Sequence, residues 1–188
     1  IMLLLLHLVV LSFALTALGG NYSLCREYTG DKFFDSFYWW KWPDPTHGRV
    51  KYVDEKTSRK TGLSYVDPKN GRFVMRVDDK GPGVPINGNP HNIGRQSVRI
   101  HSKDLFEDMV LIMKASWMPV GCGYVHSNST WPAFWTCSRG VWPSGGEIDV
   151  VEGVNGFGAN RASLHTSSGC MLPPNVNDTQ RGYVADLT

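Results

Sequence analysis

Alternation of period two is the feature that most restricts what this chain can fold into. "RFVMRVD" (72–78), "SVRIHS" (97–102) and "ASLHTS" (162–167) set apolar and polar residues at alternate positions. Such a pattern gives a strand one buried face and one polar face. "MVLIMKASW" (109–117) is nearly continuous in apolar residues. It reads as a strand buried on both faces, with a helix as the alternative. Helical periodicity is otherwise scarce after residue 20. Loops rich in Gly, Pro and Asn lie between the strands, above all "KGPGVPINGNPHNIG" (80–94). Many short strands with this punctuation indicate an all-β sandwich or barrel. The 188 residues suffice for one domain with a real core, and no linker divides off a second.

Composition narrows the function classes. Charged residues at 19% and aromatics at 12% argue against disorder. The formal net charge is +2 and no Lys/Arg run stands out, so nucleic acid is a poor partner. Residues 1–20 read as a secretory signal peptide: an apolar run from Met2 to Leu15 leads to the small-residue stretch Ala17-Leu18-Gly19. An uncleaved membrane anchor is the competing reading, since the run approaches spanning length. The globular domain is therefore taken as residues 21–188. Three glycosylation sequons, at Asn21, Asn128 and Asn177, favour secretion modestly. Cys25, Cys122, Cys137 and Cys170 lack metal-type spacing. An oxidising compartment would permit disulfides, whose pairing the sequence leaves open.

"GGEIDVVEG" (145–153) puts Glu147, Asp149 and Glu152 into a segment that otherwise reads as a buried strand. Carboxylates are costly to bury. Positions i and i+2 share a face, so Glu147 and Asp149 point one way and Ile148 the other. Glu152, at i+5, would point away in a regular strand. One extra residue, a β-bulge at Val150-Val151, would bring it back. Three acids would then line one surface, with Ile148 and a valine on the core side. The glutamates would stand roughly 13 Å apart between Cα atoms. Their carboxyls can then reach the ~5–5.5 Å of a retaining glycosidase, although the ~6.5–9.5 Å of an inverting one stays open. In such a pair one carboxylate attacks the anomeric carbon. The other, its pKa raised by the like charge nearby, protonates the leaving oxygen and then activates water. Asp149 would hydrogen-bond the nucleophile. A solvated acidic face or a Ca²⁺ site is the alternative, though EF-hand spacing is missing.

The blocks around this motif carry a resemblance. "WPAFWT" and "WPSGGEIDVVEGVNG", within 131–156, are similar to the active-site region of glycoside hydrolase family 16, in its laminarinase-like, fungal endo-1,3(4)-β-glucanase group. "FFDSF" (33–37), "DPTHGRVKYV" (44–53), "GRQSVRI" (94–100), "MPVGCG" (118–123) and "SLHT" (163–166) agree in order. The resemblance implies a curved β-sandwich, a concanavalin-like jelly roll with a substrate cleft across its concave face, and retaining hydrolysis. It implies Glu147 as nucleophile, Glu152 as acid/base and Asp149 as the helper between them. Trp131, Trp135 and Trp142 match aromatic positions around the cleft, and Arg99 and His165 match substrate-binding positions. Trp39, Trp40 and Trp42 are left as core or rim. Two departures stand out. "YVHSNS" (124–129) is an insertion, and the resemblance weakens after Cys170, so C-terminal strands of the domain are expected to be missing.

The resemblance thus implies a secreted, monomeric endo-β-glucanase acting on β-1,3 or mixed β-1,3/1,4 glucan, with no metal, no cofactor and no stable membrane insertion. Two alternatives are a non-catalytic β-glucan-binding protein of the same fold and a cell-wall transglycosylase. Retention of both glutamates favours catalysis over mere binding. The Gly-Gly before Glu147 and Gly-Val-Asn-Gly after Glu152 resemble the hydrolases more closely.

Overall fold

The structure, a computed structural model, describes residues 22–80, 82–119, 130–153 and 160–170. Its core grows from the aromatic stretch Phe33 to Trp39. Lys32–Ser36 forms a short helix, α1, and Phe37–Trp39 the first strand, β1. The buried Phe34 and Trp39 rings stack with centroids 5.5 Å apart, a contact contributing about 0.5–1.5 kcal/mol beyond area burial. Val53, Leu63 and Val98 complete the cluster, with Phe37, Val66, Phe73 and Ile100 packed around it. The Trp39 indole N–H donates to the buried Ser64 hydroxyl at 3.3 Å, so its polar atom is satisfied inside the core.

A second helix, α2 (Glu55–Thr61), shields this cluster. Asp54 caps it by accepting from Thr57 N–H at 2.8 Å. Thr57, through its side chain first and its backbone N–H second, holds the exposed Asp54 carboxyl below its ordinary pKa. The Arg59 guanidinium lies 4.0 Å from the centre of the Phe34 ring. It also pairs with Glu55 one turn back.

The remaining strands are β2 (Val50–Tyr52), β3 (Ser64–Val66), β4 (Phe73–Met75), β5 (Val84–Ile86), β6 (Asn89–Ser97), β7 (Ile100–Ser102), β8 (Ala133–Cys137), β9 (Glu147–Glu152) and β10 (Ser163–His165). They pair as β1–β7, β3–β4, β2–β6–β5 and β8–β9–β10. Only β2–β6 is parallel among the described pairs. No helix among the described residues is long and apolar enough to cross a membrane.

Three expectations are corrected. The loop expected over 80–94 contains the β5–β6 hairpin. Asn87 and Gly88 both have positive φ, 51° and 75°, the geometry of a two-residue type I′ turn. Dense Gly and Pro punctuation hid the strands on either side. Second, the strand expected at 97–102 is broken: β6 ends at Ser97 and β7 resumes at Ile100. Third, 109–117 is neither strand nor helix, and Ile112 is 84% exposed. A strand exists through its ladder, and no described strand lies beside this segment. An apolar run says that a segment can be buried, but not by what.

The expected signal (1–20), the sequons at Asn21, Asn128 and Asn177, Cys122 and the 124–129 insertion lie outside the described residues. Cys25, Cys137 and Cys170 are exposed, free thiols.

Candidate active site

The three-stranded sheet β8–β9–β10 carries the acidic motif on its central strand. Gly146, immediately before it, has φ of +88°, and its carbonyl accepts from Ser138 N–H at 3.1 Å. The chain thereby turns into β9 with Glu147 opposite Cys137 on one side and His165 on the other.

The register on the β8 side contains the expected bulge. Trp135 lies opposite Asp149, but Phe134 lies opposite Val151, leaving Val150 as the extra residue. Ala133 is then opposite Glu152. Residues directly across an antiparallel ladder share a face. Ala133, Trp135, Cys137, Glu147, Asp149, Glu152, Ser163 and His165 therefore share one surface. Side chains agree: Ser163, opposite Asp149, donates its hydroxyl proton to Glu152 Oε2 at 3.3 Å.

The reverse face departs from expectation. Ile148, Val150 and Leu164 are 52%, 46% and 67% exposed. The side anticipated as core is open among the described residues, because no described sheet packs against it. The acidic face is the better covered one, and Asp149 is buried at 5% exposure.

His165 links two of the acids. Its Nε2 lies 3.1 Å from Asp149 Oδ2 and 3.7 Å from Glu147 Oε1. Asp149 was expected to bond the nucleophile; it bonds His165 instead, since the paired strand brings the imidazole between the two carboxylates. These three groups have potential metal-ligating atoms within 4.8 Å of one another, but they are already engaged with each other. Burial, then the Asp149 charge, raises the Glu147 pKa, while His165 and Arg99 oppose the rise. Burial is the largest of these causes and the Glu152 charge the smallest.

Aromatic and basic groups surround the carboxylates. Trp131 Nε1–H donates to Glu152 Oε1 at 3.0 Å. Trp142, largely exposed, lies against His165 with ring centroids 5.5 Å apart. Arg99 is held between Trp40 and Trp135, 5.1 and 4.9 Å from their ring centres. Its Nε–H donates to His101 Nε2 at 3.0 Å. Arginine is always a donor, so His101 is neutral with its proton on Nδ1. Burial first, and the Arg99 charge second, lower the His101 pKa to about 4. The Tyr52 hydroxyl is raised in pKa, first by burial and then by the Asp44 charge, while Arg99 opposes the rise.

All eight residues singled out from the sequence thus fall in or beside this surface. Trp39 is core and Trp42 is exposed. Trp40, left as core or rim, belongs with Arg99 instead. His101 and Ser163 were missed, although each has a signal: His101 is two residues from Arg99, and Ser163 two from His165.

Residues 37–186 match the XgeA-like catalytic domain of glycoside hydrolase family 16. The chain belongs to that family. It is 42% identical over 152 residues to a probable glycosidase of Schizosaccharomyces pombe, covering 81% of this chain and 32% of that protein. A probable endo-1,3(4)-β-glucanase of Aspergillus flavus is 39% identical over 155 residues, covering 82% and 21%. Among solved structures, family 16 laminarinase 16A from Phanerochaete chrysosporium, holding two β-glucans in donor and acceptor sites, has a TM-score of 0.68. It is 36% identical, with 81% of this chain and 47% of that one covered. An elongating family 16 β-1,3-glucosyltransferase has a TM-score of 0.74 at 33% identity, covering 89% and 52%. The fold is therefore the family's jelly-roll β-sandwich. The chain spans about a fifth to a third of these curated relatives and about half of the solved chains.

Proposed function

We propose that this chain carries the catalytic strand of an endo-β-glucanase that cleaves β-1,3 or mixed β-1,3/1,4 glucan with retention. The observation that carries the reading is the bulge at Val150, which brings Glu152 onto the face of Glu147 and Asp149. The Glu147 carboxylate attacks the anomeric carbon while the bond from that carbon to the leaving oxygen breaks. Glu152 gives its proton to that oxygen. A water then loses a proton to Glu152 and displaces Glu147, regenerating both groups. Asp149 and His165 hold Glu147 in place. Trp131, Trp135 and Trp142 offer ring faces to glucose, and Arg99, fixed by His101 and two indoles, offers donors to its hydroxyls. The protein acts outside the cell, a reading supported by the signal-like residues 1–20.

The test is the full-length protein on laminarin, barley glucan and xyloglucan, with reducing ends counted and the first anomer followed by proton NMR. New reducing ends on laminarin or barley glucan, β-anomer first, support the reading; α-anomer first would contradict retention. A second reading, transfer to another glucan, is favoured by likeness to the elongating glucosyltransferase. It predicts lengthened products with few new reducing ends.

A further inference from the structure

The bulge that brings Glu152 onto the acidic face also breaks the ladder on the other edge of β9. Pairing with β10 runs from His165–Glu147 to Ser163–Asp149 and stops there. Val150 carbonyl and Glu152 N–H point toward that edge without a described strand residue to meet them. Asn160 meets both. Its Nδ2–H donates to Val150 O at 2.9 Å, and its Oδ1 accepts from Glu152 N–H at 3.0 Å. A carboxamide has the same donor and acceptor as a peptide unit, so the side chain supplies the missing rung. One residue later the backbone takes over, with Arg161 N–H donating to Glu152 O at 3.0 Å.

We propose that Asn160 is the positioning residue of Glu152, locking the bulge that aims this carboxyl. The inference rests on Glu152 being the acid/base. Few side chains can replace Asn160. Asp offers only acceptors and would face the Val150 carbonyl with a like partial charge. Ser has one donor and is shorter, and Gln is longer by a methylene. Asn160 is exposed, so water can satisfy both backbone groups when it is removed. The fold then loses little. What is lost is the position of Glu152, and a misplacement near 1 Å can cost on the order of 10²-fold in rate.

The distinguishing measurement compares two leaving groups in the full-length protein. Cleavage of laminarin expels a sugar alkoxide that needs a proton, whereas 2,4-dinitrophenyl β-laminaribioside expels a phenolate that does not. Both need attack by Glu147. For Asn160→Ala, kcat/KM on laminarin should fall about 10- to 100-fold and on the aryl glycoside by less than about threefold, because only the proton donor has moved. Asn160→Asp, of the same shape, should show the same split and serves if the alanine variant folds poorly. Equal losses on the two substrates, or no loss on laminarin, would overturn the assignment. Glu152→Ala separates the layers. If it shows the split and the Asn160 variants do not, Asn160 alone is wrongly assigned. If Glu152→Ala itself loses equally on both, the acid role of Glu152 falls and the Asn160 inference falls with it.

Discussion

Trp131 donates its indole N–H to Glu152 Oε1 at 3.0 Å, so a tryptophan proposed to meet substrate also holds a carboxylate of the motif. Trp131→Phe keeps a ring face but removes the donor. One net hydrogen bond contributes about 0.5–1.5 kcal/mol. Hydrolysis by this variant should fall about 3- to 10-fold in kcat/KM on laminarin. An unchanged value would mean that Ser163 alone suffices to hold the carboxyl.

The acid limb of the pH–rate profile should sit above the range of an ordinary glutamate. Burial, then Asp149, raises the Glu147 pKa. A nucleophile must be ionised, so activity disappears as pH falls through that raised value. A kcat/KM profile on laminarin measures it. His101 will not contribute in that range, because it is already neutral down to about pH 4. An acid limb below the ordinary glutamate range would contradict the assignment of Glu147.

Glu147→Gln should lose at least about a thousandfold in activity, as nucleophile removal does in other covalent mechanisms. It should also melt higher than the wild type at neutral pH. The folded pKa of Glu147 lies above its unfolded value, so the ionised form destabilises the fold. That penalty is absent below the unfolded pKa and complete above the folded one. The neutral amide removes it. The gain should therefore shrink as pH is lowered, and thermal melts at several pH values check the trend. A variant less stable at neutral pH would show that the His165 contact outweighs burial.

The sequence was most informative where one rule decides. The spacing of Glu147, Asp149 and Glu152 demanded an extra residue, and Val150 is that residue. Alternation around Arg99 and His165 correctly turned them away from Val98 and Leu164. It was least informative where a contact depends on distant chain. Nothing near Trp40 indicates that it would cover Arg99 from a segment 59 positions earlier in the numbering. The burial that raises the Glu147 pKa was likewise not legible. Like-charge repulsion can be read from spacing, but desolvation depends on what packs over each carboxyl. The apolar run at 109–117 failed for the same reason, since its ladder partners are not encoded in its own residues.

His101 should give the protein an acid-sensitive slope. Its folded pKa of about 4 lies below the ordinary histidine value of 6.5. Its contribution is therefore fully present above the unfolded value. As pH falls from there, the unfolded chain takes a proton that the folded one refuses, and stability drops until about pH 4. His101→Gln keeps an acceptor for Arg99 and removes the titration. Its melting temperature should depend less steeply on pH across that window. Parallel slopes for the variant and the wild type would show that His101 is not held neutral.

Gly146 should be irreplaceable by alanine despite open space around it among the described residues. Among the described residues, no heavy atom outside its immediate chain neighbours lies within 4 Å of the position a Cβ would take, so crowding is not the obstacle. The backbone is. Its φ of +88° lies where an L side chain meets its own carbonyl. Holding alanine there should cost about 1–2 kcal/mol, lowering the melting temperature of a chain this size by roughly 2–8 °C. If the backbone relaxes instead, the shift passes directly to Glu147. Its carboxyl must stay near His165, so activity should fall more than stability. Gly146→Ala measured by melting and by laminarin turnover distinguishes the two responses. Wild-type values in both would show that the left-handed turn is not what sets the nucleophile.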